Sequence, residues 1–219
     1  AGAFSDAGEQ IKMVTNVLEL AGGLTAIQSE SVSKGQAKDE LSDGDLLRLS
    51  GKGDEEAFLV LYRRHHGPVF RFALHMSGRL EVAEEVTQEV FLALLSEEQG
   101  YTAERGSLQG YLMGMARNKV RRQMRRSRLF ASVADEGSDS GTELLDELSK
   151  EQETAALRAA ILRLPPNYRE VIVLCDVEAM EYIEAARQLG CAVGTVKSRL
   201  HRARAILAAR LGKREACGV

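Results

Sequence analysis

Beyond residue 38, apolar residues recur every three or four positions, the spacing that lines one face of an α-helix. Ala57, Phe58, Leu61 and Tyr62 form one such face, Val69, Phe72, Ala73 and Met76 a second, and Val82, Val86, Val90 and Leu94 a third. Near the other end Val196, Leu200, Ala203 and Leu207 form a stripe within GTVKSRLHRARAIL. That stripe leaves Lys197, Ser198, His201 and Arg202 pointing away, with Arg199 and Arg204 on its flanks.

Polar and turn residues set the boundaries. Ser42 is predicted to cap a short helix through Leu46, Leu47 and Leu49, and Asp54 a longer one. Gly67-Pro68 predicts a bend or restart, and Ser77-Gly78 a stop. EVAEEVTQEVFLALL, Glu81 to Leu95, predicts a third helix, with Glu85, Gln88 and Glu89 on or near its solvent side. A fourth begins near Ser107 and continues to about Arg128. Further on, Pro165-Pro166 ends EQETAALRAAILRL, and Asn167 is placed to cap YREVIVLCDV. YIEAARQLG, a turn at Cys191-Ala192 and the basic stretch then read as helix, turn, helix, an arrangement that reads DNA.

Composition supports an all-α protein. With 5% aromatic residues and no Trp, packing must run through Leu, Ala, Ile and Val. A length of 219 residues suits one large domain or two small ones. Residues 1–38 hold one amphipathic stretch, Ile11 to Leu20, then Gly22-Gly23 and the linker-like SESVSKGQAK, and carry no assigned role. Phe130 to Thr142, rich in Ser, Gly, Asp and Ala, marks a flexible connection.

A net charge of -3 on its own argues against nucleic acid, but the charge is segmented. Arg117, Lys119, Arg121, Arg122, Arg125, Arg126 and Arg128 form one basic block, and Lys197 to Arg214 hold another. Between them Asp135, Glu136, Asp139, Glu143, Asp146, Glu147, Glu151 and Glu153 form an acidic tract relieved only by Lys150.

Cys175, Cys191 and Cys217 are odd in number and lack a CxxC pair, which fits a reducing cytoplasm better than a disulfide framework. No apolar run approaches the roughly 20 residues that span a bilayer, and the start lacks a signal-peptide pattern. The expectation is a soluble, cytoplasmic protein without membrane insertion.

Two motif blocks in order carry a resemblance. LPPNYREVIVL with YIEAARQLGCAVGTVKSRLHRARAIL is similar to region 4 of the sigma-70-type initiation factors, in particular the extracytoplasmic-function (ECF) group. DEEAFLVLYRRHHGPVFRFAL, AEEVTQEVFLALL and GYLMGMARNKVRRQMRR resemble that group's region 2. The resemblance implies two small helical domains joined by a flexible acidic linker. Region 2 would take residues 39–128, the linker 129–152 and region 4 residues 153–212, with 213–219 as a tail.

It also implies partners and roles. Core RNA polymerase would be met through its β′ clamp helices, with Glu85, Gln88, Glu89 and Phe91 as candidate contacts, and through its β flap. Promoter DNA would be held at the −10 element by Tyr111, Arg117, Asn118, Lys119, Arg121 and Arg122, with Arg125 and Arg126 on phosphates. At the −35 element Thr195, Lys197, Ser198, Arg199, His201 and Arg202 match the recognition positions. Anti-sigma factors are a further class of partner in the family. The linker composition suits equally a solvated connection and a segment whose carboxylates imitate phosphates.

This sequence departs from the family's pattern at several positions. Tyr111 stands where many relatives carry Trp, and Arg122 near a position often acidic. Glu181 replaces the usual Ser cap, Ala185 a commoner Ile, and Cys175 a basic residue found in some relatives.

Two other classes share parts of this pattern. For an enzyme, His65, His66, His75 and the Cys175-Asp176 pair supply titratable groups, yet there is no HExxH, no paired metal-ligand motif and no nucleophile elbow. His65-His66 is expected as a partly exposed pair at a helix end, and neither catalytic residue, metal nor cofactor is expected. A response-regulator-type activator shares the helix-turn-helix and binds duplex DNA without joining polymerase. It has no use for the region 2 helices.

Overall fold

The structure, a computed structural model, describes residues 38–96, 101–102, 104, 106–131 and 150–215. Among them every regular element is helical: α1 (Asp43–Ser50), α2 (Glu55–Ser77), α3 (Leu80–Ser96), α4 (Leu108–Ala131), α5 (Lys150–Leu162), α6 (Pro166–Ile172), α7 (Tyr182–Leu189) and α8 (Val193–Glu215). A five-residue π-helical turn, Val173–Val177, continues α6. The amphipathic stretch Ile11 to Leu20, the SESVSKGQAK segment and most of the acidic tract lie outside the described residues.

Local chemistry starts several helices as expected. Ser42 Oγ accepts the Asp45 N–H at 3.2 Å, Asp54 Oδ1 that of Ala57 at 3.0 Å, and Ser107 Oγ that of Gly110 at 3.0 Å. Each satisfies a donor that the first helical turn leaves without an intrahelical partner.

The described residues group into two compact units, one formed by those up to Phe70 with those of Glu84–Met115, the other by Arg71–Ala83 with those from Ala116 onward. In the first, Phe58, Phe91, Leu46, Leu61, Leu108 and Leu112 are fully buried. Phe91 stands edge-on to Phe58 at 6.2 Å and 4.8 Å from the Tyr62 ring. Burial of each such side chain stabilises the unit by roughly 1.5–3 kcal/mol. Arg64 ties α1 to α2, donating to the Leu41 carbonyl at 2.9 Å, to Asp43 at 2.8 Å and to the Asp39 carbonyl.

The second unit packs Phe72, Ala73 and Met76 of α2 and Ala116 and Val120 of α4 into its core, together with Ile161, Leu164, Val171 to Leu174 and the α8 stripe. Arg169 stitches it, donating to the Met76 carbonyl at 2.8 Å, the Leu164 carbonyl at 3.2 Å and the Leu162 carbonyl. Gly78, at φ 73°, lies so close to Leu162 that a Cβ there would sit 3.0 Å from its Cδ1.

Three expectations are corrected. Gly67-Pro68 does not restart the chain: α2 continues from Glu55 to Ser77 with Pro68 inside. Proline removes one ladder bond, but Leu61 and Tyr62 before it and Val69, Phe72 and Ala73 after it are all buried, so packing on both sides holds the helix together. His65 and His66 therefore fall mid-helix instead of at an end. His65 is buried with Nε2 2.9 Å from Asp43 Oδ2, and His66 is half-buried between the Tyr62 and Phe70 rings. Asn167 does not cap α6, because Pro165 holds that position and Pro166, whose ring presets the helical φ, begins the helix.

Candidate nucleic-acid interface

In the second unit α7, a turn and α8 form the helix-turn-helix. Gly190 takes the left-handed conformation at φ 64°, where a side chain is disfavoured, and the chain reverses behind it with the Cys191 N–H on the Ala186 carbonyl at 3.0 Å. Glu181 occupies the cap position of α7, but its side chain makes no capping hydrogen bond. Ala185 is fully buried, so a small residue there fits close packing.

The α8 stripe is buried at Val196, Leu200, Ala203 and Leu207. Lys197, Ser198, His201 and Arg202 are exposed, while Thr195 and Arg199 are half-buried. Ser198 Oγ donates to the Thr195 carbonyl at 3.0 Å, which steadies the first turn of this face. Arg204 turns aside instead and grips Asp176 at the end of the π-helical turn. Hydrogen bonding and charge from Asp176 raise the Arg204 pKa further, so its cation is permanent. Beside it the Cys175 thiol is pushed up to about 11, first by burial and then by Asp176. A thiol so weakly acidic is a poor nucleophile and metal ligand at neutral pH.

On α4, Asn118, Arg122, Arg125 and Arg126 are exposed, and Lys119 is half-buried. Arg117 and Arg121 are engaged elsewhere: Arg117 Nη2 lies 3.2 Å from Glu170 Oε2, Arg121 Nε 3.0 Å from Glu170 Oε1, and Arg117 also donates to the Gln188 carbonyl at 3.1 Å. Sequence reasoning missed Glu170. The available signal was a carboxylate directly ahead of the unbroken apolar run Val171 to Leu174, where a buried acid requires a cation. It also missed Glu178, whose side chain is 1% exposed and whose two oxygens meet Arg71 at 3.0 and 2.8 Å. Burial raises the Glu178 pKa, with Arg71 opposing.

In the first unit, Tyr111 is half-buried with its ring 5.8 Å from that of Tyr101. Glu85, Gln88 and Glu89 share the exposed face of α3. Phe91, grouped with them as a contact, is a correction: its ring is fully buried against Phe58 and Tyr62, so it supports this face from beneath. Among the described residues no three His, Cys, Asp or Glu side chains are grouped to hold a metal, and no helix is long and apolar enough to cross a membrane.

A helix-turn-helix with a cationic outward face, in a chain built of helices, defines a DNA-binding protein. Comparison with known proteins narrows the class. Residues 61–130 match sigma-70 region 2, and residues 154–207 match sigma-70 region 4. ECF RNA polymerase sigma factor SigE of Mycolicibacterium smegmatis is 31% identical over 223 residues, covering 90% of this chain and 84% of that one. ECF RNA polymerase sigma factor SigM of Mycobacterium tuberculosis is 33% identical over 175 residues, covering 79% and 86%. Among solved structures, sigma factor RpoE of Bartonella quintana, in complex with the anti-sigma factor NepR, matches with a TM-score of 0.62 at 24% identity, covering 69% of this chain and 94% of that one. CnrH, in complex with the cytosolic domain of CnrY, matches with a TM-score of 0.60 at 26% identity, covering 78% and 97%. The chain belongs to the ECF group of sigma-70-type RNA polymerase sigma factors, transcription initiation factors that direct the polymerase to promoters.

Proposed function

We propose that this chain acts through three separate surfaces. The acidic and amide-bearing face of α3, Glu85, Gln88 and Glu89, docks on the β′ clamp helices, with region 4 against the β flap. The cations and Asn118 of α4 hold the displaced −10 strand, with Tyr111 further back on the same helix. Thr195, Lys197, Ser198, Arg199, His201 and Arg202 of α8 read the −35 duplex in the major groove. The observation that carries the reading is the division of α8 into a buried apolar stripe and an exposed cationic face, in a chain that also has the region 2 helices. An activator of response-regulator type has no use for the latter.

The domain limits proposed are residues 39–128 for region 2 and 153–212 for region 4. The chain supplies placement and leaves the chemistry to the polymerase, and we place its action with that enzyme in the cytoplasm. One structural relative, sigma factor RpoE, was solved in complex with an anti-sigma factor, so an anti-sigma factor is proposed as a partner here as well.

Run-off transcription with core polymerase on a genomic promoter pool tests the reading. Discrete transcripts that depend on this chain support it. Specific duplex binding without core association would support the activator instead.

A further inference from the structure

From Glu85 to Ser96, α3 separates into two faces. Val86, Val90, Phe91, Leu94 and Leu95 are buried in the core of the first unit, with the Phe91 ring against Phe58 and Tyr62. Glu85, Gln88, Glu89, Leu92 and Ser96 are exposed. At about 100° per residue these fall within one strip of the helix surface. Leu92 lies along its middle, three residues after Glu89, four after Gln88 and four before Ser96. Ser96 is short, and its Oγ folds back to donate to the Leu92 carbonyl at 3.1 Å. Among these exposed side chains Leu92 alone is apolar. The inward positions on both sides of it are filled, so it cannot turn into the core and keeps 36% of its surface in water. That remaining surface contributes nothing to folding and gains only when a partner covers it.

We propose that Leu92 is the apolar anchor of the docking face, seated between basic side chains of the β′ clamp helices while Glu85 and Glu89 meet those cations around it. The inference rests on the docking role proposed above for α3 and adds what holds the complex once charge has brought it together. Exposed carboxylates steer and select a basic partner, but each contributes little net affinity, because side-chain ordering and salt offset the Coulomb gain. Durable hold at an interface comes from groups near its centre that a polar rim closes off from water, and Leu92 has that position. The partner surface it fits is an apolar spot flanked by Lys or Arg.

The test is competition between unlabelled variants and the fluorescein-labelled parent chain for purified core polymerase, read by anisotropy at about 0.1 M and about 0.5 M salt. Leu92→Gln, similar in size but polar, is expected to bind roughly five- to ten-fold more weakly at both salt concentrations while its melting temperature stays with the parent's. Leu92→Met keeps an apolar side chain of similar volume and should bind like the parent. Glu85→Gln combined with Glu89→Gln should weaken binding at the lower salt and much less at the higher, where charge is screened.

If Leu92→Gln binds like the parent while the paired glutamate variant is weakened, the anchor is refuted and the docking role of α3 stands. A Leu92→Gln deficit that disappears at high salt, or one that Leu92→Met shares in full, refutes it as well. If no variant changes core binding, the docking role itself fails and the inference falls with it. Should Leu92→Gln melt early, Leu92→Ala takes its place, because alanine keeps the helix while removing the apolar reach, and the same outcomes decide.

Discussion

Arg204 of α8 holds Asp176 with two prongs, Nε 2.9 Å from Oδ2 and Nη2 2.6 Å from Oδ1. The pair joins the recognition helix to the end of the π-helical turn, adding a polar tether to the buried stripe that decides which face of α8 turns outward. Both side chains are partly in water, at 55% and 31% exposure, so the pair contributes under about 1 kcal/mol to stability. Its larger effect is on position. Asp176→Asn should lower affinity for a specific promoter duplex several-fold while the melting temperature moves little. Duplex titration beside a thermal melt separates the two, and equal loss in both would contradict a positioning role.

Phe91 and Glu89 are neighbours in function and opposites in environment. Phe91→Ala opens a cavity beside Phe58 and Tyr62 and should cost about 3–5 kcal/mol, read by urea unfolding. Glu89→Lys, on the exposed face, should shift stability by under about 1 kcal/mol yet weaken association with core polymerase at least roughly ten-fold, because the docking proposed for this face matches its carboxylates to a basic partner.

Salt should report how α8 meets DNA. If Lys197 or Arg202 touches a phosphate, its replacement by Ala reduces the slope of log affinity against log salt by about 1. A residue that reads a base instead narrows the gap between the best site and its single-base variants by roughly 1–3 kcal/mol. Titrations of a selected promoter duplex and its variants at several salt concentrations sort the exposed residues into the two groups.

Acid should destabilise the fold in two stages. Burial lowers the pKa of His66 below 6.5, as does burial for His75 with Arg158 and Arg71 adding to it. Such groups bind fewer protons folded than unfolded, so stability is complete above about pH 6.5 and falls as the pH drops below it. The Asp43 and Asp54 carboxyls are held below their usual value of 3.8, chiefly by hydrogen bonds from His65 and Lys38 respectively. Their contribution is present above about pH 3.8 and is lost as the pH falls through the lower folded values. Thermal melts from neutral pH to about pH 3 should show both stages, and His66→Gln with His75→Gln should flatten the first.

What the sequence disclosed was what neighbours in sequence decide. Ser42, Asp54 and Ser107 cap helices through atoms three residues away, and the α8 stripe follows from its own spacing. The face shared by Lys197, Ser198, His201 and Arg202 was legible for the same reason. Pro68 was misjudged because the lost ladder bond is local while the packing that outweighs it is not. Phe91 was misplaced because a position beside an exposed face can still point inward. Glu170 with Arg117 and Arg121, and Glu178 with Arg71, are separated by 53 and 107 residues in their hydrogen-bonded pairs, and no short window of sequence joins them.

The π-helical turn at Val173–Val177 carries a consequence for how this chain can change in length. Such a turn holds one residue more than an α-helical turn over nearly the same rise. The extra residue is absorbed within the turn, so deleting one residue of Val173–Val177 should let the ordinary ladder close and leave the chain beyond in nearly the same register. Of the changes in length open to this chain, a one-residue loss here should disturb the recognition helix least, provided Asp176 is kept for Arg204.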